Sequence, residues 1–105
     1  MKNWIFAILL TVVAPMTAVA GGVVWIDVRS PAEYKQDHLR GALLIPYNVI
    51  AKRIAKVVPN KHQVINLYCH SGRRAQIARR TLLQLGYTSV QNRGGIESLR
   101  AQGMK

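Results

Sequence analysis

The segment 68–74, with the sequence YCHSGRR, contains the only cysteine of the chain and two arginines close behind it. It follows an apolar run rich in strand-forming residues, 64–68, and precedes a helical pattern of apolar residues in 74–85. The pattern therefore predicts a strand, a short loop and a helix, with Cys69 at the end of the strand. The N–H groups of such a loop and the positive end of the helix dipole stabilise an anion. Cys69 is the predicted nucleophile, because this field and the nearby arginines favour its thiolate.

The spacing inside this loop narrows the chemistry. Four residues separate Cys69 from Arg74, a shorter spacing than in the phosphate-binding loop of tyrosine phosphatases. A shorter ring of amides suits a smaller group on the cysteine, such as one extra sulfur atom. An inert, buried cysteine at a strand end is the alternative. The residues predicted to bind the substrate are those of the loop itself: His70, Ser71, Gly72, Arg73 and Arg74.

Four blocks of the sequence resemble the rhodanese family of sulfurtransferases, in its small, exported, single-domain form. The loop matches the family pattern Cys-x-x-Gly-x-Arg through Cys69, Gly72 and Arg74. The blocks follow the family's order and cover nearly all of the chain beyond residue 20. Ser98 and Leu99 depart from the family, which often has a tryptophan after the final Gly-Gly. The other three blocks are WIDVRSPAEY (25–34), HLRGALLIP (38–46) and GYTSVQNRGGI (86–96).

The resemblance implies a thiosulfate sulfurtransferase that carries sulfane sulfur as a persulfide on Cys69. Thiosulfate or polysulfide is the implied donor, and cyanide or a thiol is the implied acceptor. Asp27 and Arg29, in the first block, are implied to brace the active loop by ion pairing. Arg74 is the arginine that matches the family, whereas Arg73 is a local addition that binds the sulfonate end of thiosulfate or only steers anions.

Two other functional classes stay open. A sulfur carrier that hands persulfide sulfur to a partner protein would use the same residues, so only turnover and partner dependence distinguish it from an enzyme. A redox module would form mixed disulfides at Cys69, but redox motifs usually supply a second cysteine and this chain has none. His70 is a candidate general base or only a tuner of local charge. Neither a cofactor nor a metal is expected, since the cysteine and the three histidines show no ligand spacing.

The charge of the chain points to anionic substrates. The net charge is +11, and without Lys2 the 14 basic and four acidic residues leave +10. A positive cleft raises the encounter rate of thiosulfate or polysulfides. Nucleic acid is not an expected partner, because no nucleic-acid motif is present. Part of the charge, Lys52, Arg53 and Lys56 for example, fits a solvated helix surface.

Residues 1–20 have the pattern of a secretory signal peptide: Lys2 near the start, a largely apolar core, and a small-x-small site that ends at Ala20. Cleavage is expected after Ala20. A membrane anchor is the alternative, but the apolar stretch is shorter than the roughly 20 residues a span needs and it contains Pro15. The expected location is the bacterial periplasm, with no stable membrane anchor after cleavage.

Residues 21–105 are expected to form a single domain with a modest core. Strands are predicted at 23–27, 42–45, 64–68 and 89–91, separated by helices, one of them capped by Asn48. This alternation predicts an α/β fold with a mainly parallel sheet flanked by helices on both faces. The active loop then lies at the carboxyl end of a strand, as the rhodanese-like fold also implies.

Overall fold

The computed structural model describes residues 22–105 of the chain. The signal peptide predicted for residues 1–20 lies outside the described residues. Within them, no helix is both long enough and apolar enough to cross a membrane.

One parallel sheet organises this part of the chain. The strand order is β2-β1-β3-β4, and every neighbouring pair is parallel. The two central strands are therefore β1 and β3, and β3 carries Cys69 as its last residue. Cys69 faces Gly95 on β4, beyond an irregularity in the strand pairing. The strands are β1 (Val23–Asp27), β2 (Leu43–Leu44), β3 (Val64–Cys69) and β4 (Val90–Gly95).

Helices cover both faces of the sheet. Side chains of alternate strand residues point to opposite faces: Leu67 packs in a cluster with α2 and α3, whereas its neighbour Tyr68 packs in a second cluster with α4. The predicted α/β architecture with helices on both faces is thereby confirmed. The helices are α1 (Pro31–Gln36), α2 (Ile50–Val57), α3 (Arg73–Gln84) and α4 (Ile96–Ala101).

Local sequence explains how α1 and α2 begin, with one correction. A capping box starts α1, because the Ser30 side chain accepts from the Glu33 N–H and the Glu33 carboxylate accepts from the Ser30 N–H. The prediction that Asn48 caps α2 is wrong. Val49 occupies the capping position without a side-chain hydrogen bond. The Val49 N–H bonds the Pro46 carbonyl at 3.1 Å, and this backbone turn places Asn48 before the cap.

Candidate active site

Cys69 and the loop after it form the centre of the site. The Gly72 N–H donates to the Cys69 Sγ at 2.9 Å, so the loop curls back onto the sulfur. Gly72 has a φ of 96°, a left-handed conformation that glycine adopts without steric cost. α3 begins at the next residue, and its positive dipole end therefore lies at the loop. This arrangement stabilises negative charge on sulfur.

Cys69 lies at the buried base of the loop. It is only 1% exposed and belongs to the apolar cluster beneath α2 and α3. By contrast, His70, Ser71 and Arg73 are exposed. Within residues 22–105 their side chains make no hydrogen bond. The sulfur thus has an apolar base, with backbone amides and solvent-facing side chains above it.

Arg74 connects the start of α3 to α1. Its guanidinium donates to both carboxylate oxygens of Glu33, at 2.8 and 3.0 Å. These bonds, more than any other contact, lower the pKa of Glu33 to about 2. They also raise the pKa of Arg74, which lies within electrostatic range of the Cys69 thiol. The Arg74 side chain is therefore directed at the Glu33 carboxylate, and its positive charge lies beside the loop.

Glu33 is a site residue that sequence reasoning missed. Its capping-box spacing after Ser30 is visible in the sequence. Its second partner, Arg74, lies 41 positions away, so no local pattern indicates that contact. One carboxylate oxygen of Glu33 accepts from Ser30 and from Arg74, which joins the first turns of α1 and α3.

Asp27 and Arg29 form a buried ion pair at the end of β1. Both side chains are nearly inaccessible, and an Arg29 Nη2 to Asp27 Oδ2 distance of 2.8 Å closes the pair. Hydrogen bonds to Asp27 raise the pKa of Arg29. Arg29 also donates to the Asp37 carbonyl at 2.5 Å, and its guanidinium carbon lies 5.8 Å from the centre of the Tyr68 ring. The pair therefore lies against the residue before Cys69, and its side-chain hydrogen bonds within residues 22–105 do not reach the active loop.

The end of β4 supports the loop from the other side. Asn92 Nδ2 donates to the Gly72 carbonyl at 2.9 Å, while its Oδ1 accepts from the Gly94 N–H at 2.9 Å. A Cβ atom on Gly95 would stand only 2.1 Å from the His70 carbonyl oxygen. Asn92 was not predicted as a site residue, because its contact with Gly72 spans 20 positions.

Positive charge dominates the described residues. Three of the four carboxylates are held by arginines, in the pairs Asp27–Arg29, Glu33–Arg74 and Asp37–Arg100. Most of the basic side chains in residues 22–105 are consequently left without a carboxylate partner. In the same part of the chain, no cluster of three or more His, Cys, Asp or Glu side chains is arranged to hold a metal ion.

The chain is similar to known proteins over most of its length. It matches the Rhodanese-like domain across residues 17–102. It is 41% identical over 81 residues to Thiosulfate sulfurtransferase PspE of Escherichia coli (strain K12), covering 77% of this chain and 78% of that protein. It is 37% identical over 67 residues to Putative sulfur carrier protein YrkF of Bacillus subtilis (strain 168), covering 64% of this chain and 35% of that protein.

The fold has close counterparts among solved structures. A rhodanese with anions from E. coli matches with a TM-score of 0.70 and 42% sequence identity. The match covers 72% of this chain and 89% of that one. The fold predicted from the sequence is confirmed by this likeness.

Proposed function

Because the chain belongs to the rhodanese-like family and is a sulfurtransferase, we propose that its reaction is thiosulfate sulfurtransfer through a persulfide on Cys69. Cyanide or a thiol takes the sulfur. The observation that carries the proposal is the 2.9 Å contact from the Gly72 N–H to the Cys69 sulfur. It gives the nucleophile an amide donor at the site where negative charge forms. The 41% identity to a thiosulfate sulfurtransferase supports thiosulfate as the donor.

The reaction has two covalent steps. In the first, the Cys69 thiolate attacks the outer sulfur of thiosulfate, a bond forms between the two sulfurs, and sulfite leaves with the electron pair of the broken sulfur–sulfur bond. In the second, cyanide or a thiolate attacks the terminal sulfur of the persulfide. Cys69 then leaves as thiolate, and thiocyanate or a new persulfide is released.

The loop residues divide these tasks. N–H groups between His70 and Arg74 stabilise the persulfide anion as preorganised dipoles. Among residues 22–105, the Gly72 N–H is the donor that contacts the sulfur. The exposed Arg73 side chain attracts the sulfonate end of thiosulfate, while Arg74 adds positive charge from its position against Glu33. Asp27 and Arg29 brace β1 against Tyr68, and so act on the loop indirectly.

The location and extent of the mature protein belong to the same proposal. We propose that residues 1–20 are a signal peptide removed after Ala20, and that residues 21–105 act as one domain in the periplasm. In that compartment a lone cysteine has no internal disulfide partner and can stay available for sulfur. The donors and acceptors are small molecules, without nucleic acid and without a stable membrane anchor.

A sulfur carrier is the second candidate function. The similarity to Putative sulfur carrier protein YrkF favours it, although the chain spans only 35% of that protein. A carrier would form the same persulfide on Cys69 but would discharge it only to a partner protein. Turnover with small acceptors is therefore the property that separates the two functions.

The deciding experiment measures thiocyanate release from thiosulfate and cyanide by residues 21–105, beside the Cys69→Ser variant. The intact mass is recorded after thiosulfate alone. Turnover together with a gain of one sulfur, both lost in Cys69→Ser, supports the enzyme. The mass gain without turnover favours the carrier. If neither signal appears, thiosulfate is not the donor.

A further inference from the structure

A pocket of about 320 Å³ lies beside the active loop. It is formed by the turn between β1 and α1, the segment between β2 and α2, and the first turn of α3. Pro31, Pro46 and Tyr47 supply apolar surface, and Arg53 and Arg74 supply positive charge. The volume lies at the lower end of the range for small-molecule sites. The pocket therefore has the size and the lining of a site for a small amphipathic anion.

Arg74 connects the pocket to the loop that carries Cys69. Arg74 lines the pocket and is also the last residue of the loop that begins at Cys69. Tyr47 also packs against the apolar cluster that contains Cys69. A molecule held in the pocket thus lies next to the loop that carries the reactive sulfur.

The charges that line the pocket are not equivalent. Arg29 and Arg74 are each paired with a carboxylate, Asp27 and Glu33 respectively, which reduces the charge that they present to a ligand. Arg53 is exposed on α2 and has no carboxylate partner among residues 22–105. An anionic group that enters the pocket therefore meets an unpaired positive charge at Arg53, in a lining that also contains the apolar surface of Tyr47.

We propose that this pocket binds the sulfur acceptor, and that the acceptor is a small organic thiol with an anionic group such as a carboxylate. The proposal rests on the proposed function and adds its substrate class. Arg53 binds the anionic group, and the carbon chain lies against the apolar wall. The acceptor thiolate attacks the terminal sulfur of the Cys69 persulfide, so that a new sulfur–sulfur bond forms, the Cys69 bond breaks, and Cys69 retains the electron pair.

The test measures how fast different thiols discharge the persulfide. Cys69 is loaded with thiosulfate, and the loss of one sulfur is followed by intact mass after adding 3-mercaptopropionate or the neutral 2-mercaptoethanol at equal thiolate concentration. Arg53→Ala is compared with Arg53→Lys and with Lys52→Ala. Lys52 is the matched control, because it is an exposed neighbour on α2 that does not line the pocket.

The proposal predicts a selective loss. Arg53→Ala slows discharge by 3-mercaptopropionate about tenfold, as expected for loss of a charge-assisted contact, and changes discharge by 2-mercaptoethanol less than about twofold. Arg53→Lys restores most of the rate, and Lys52→Ala stays within about twofold of the wild type for both thiols, as expected for an exposed charge screened by salt. Equal losses of discharge rate in Arg53→Ala and Lys52→Ala would show a general attraction of anions and would overturn the proposed acceptor site. An unchanged Arg53→Ala would overturn it as well.

Failure of the proposed function is recognised separately. If thiosulfate adds no sulfur to Cys69, the donor assignment is wrong, and sodium tetrasulfide then loads the persulfide for the same comparison of thiols. If thiosulfate loads Cys69 normally and the two thiols discharge it alike in every variant, only the acceptor pocket is refuted. If neither donor loads Cys69, both proposals are overturned.

Discussion

Replacing Gly95 with alanine tests how tightly β4 supports the active loop. A Cβ atom at this position would stand 2.1 Å from the His70 carbonyl oxygen, whereas ordinary contact begins at 3.4 Å, so the carbonyl must retreat by about 1.3 Å. Displacements of about 1 Å at a reacting centre cost on the order of 100-fold in rate. We therefore expect Gly95→Ala to form the Cys69 persulfide about 100-fold more slowly than the wild type.

The same substitution also lowers stability, so the assay separates the two effects. Overpacking of this size costs about 2 kcal/mol, which corresponds to a fall in Tm of about 8–16 °C for a domain of this length. Persulfide formation is measured by intact mass at a temperature where circular dichroism shows both proteins to be folded. The rate is then a property of the folded state.

Gly41→Ala is the matched control. Gly41 has a φ of 84° and no atom within 4 Å of an added Cβ, so alanine adds backbone strain of about 1–2 kcal/mol without touching the loop. Its rate of persulfide formation should equal that of the wild type. A folded Gly95→Ala that loads sulfur as fast as Gly41→Ala would refute the view that β4 holds the loop in place.

Three further substitutions test other contacts. The pKa of Glu33 in the folded protein is about 2, below its ordinary value of 4.5; the carboxylate therefore adds stability that is complete above about pH 4.5 and lost as the pH falls towards 2. Urea unfolding should find Glu33→Gln less stable by about 1 kcal/mol at pH 7, after allowance for solvent screening. Most of this difference should be lost near pH 2, and a difference that is as large at pH 2 as at pH 7 contradicts this. Asn92→Asp keeps the shape of the side chain but loses the donor to the Gly72 carbonyl, so alkylation of Cys69 by iodoacetamide should slow about tenfold. The effect should be larger than in the cavity variant Asn92→Ala, and equal alkylation rates in the two variants would contradict the donor role. Asp27→Asn leaves the buried guanidinium of Arg29 without its countercharge, so the free energy of unfolding in the same urea assay should fall by about 3–5 kcal/mol. A fall below about 1 kcal/mol would show that the pair contributes little to stability.

The contiguous part of the site could be predicted from the sequence. The apolar run before Cys69 and the helical pattern after it are local, so they place Cys69 at a strand end and a helix shortly after it. The order of the alternating strands and helices likewise predicts the parallel sheet, which the structure confirms.

The supporting contacts could not be predicted in this way. Arg74 meets Glu33 across 41 positions, and Asn92 meets Gly72 across 20, so each depends on how the elements pack. Burial of Cys69 has the same origin, because it follows from the helices that cover β3. The wrong prediction for Asn48 concerns a local feature. A turn closed by the hydrogen bond from the Val49 N–H to the Pro46 carbonyl precedes α2, and Asn48 lies inside this turn and not at the capping position.

The cysteine site and the proposed acceptor pocket come from two different stretches of the sequence. The continuous segment 64–95, which runs from β3 through α3 to β4, contains the sulfur, the amide that contacts it and both β4 supports of the loop. The pocket proposed to bind the acceptor is lined mainly by residues between 29 and 53, which precede this segment. A substitution at Arg53, which lines this pocket but makes no contact with the loop in the ion pairs above, is therefore expected to change which acceptor is used while persulfide formation is conserved. Under this proposal, the choice of acceptor and the formation of the persulfide depend on different parts of the sequence and can change independently.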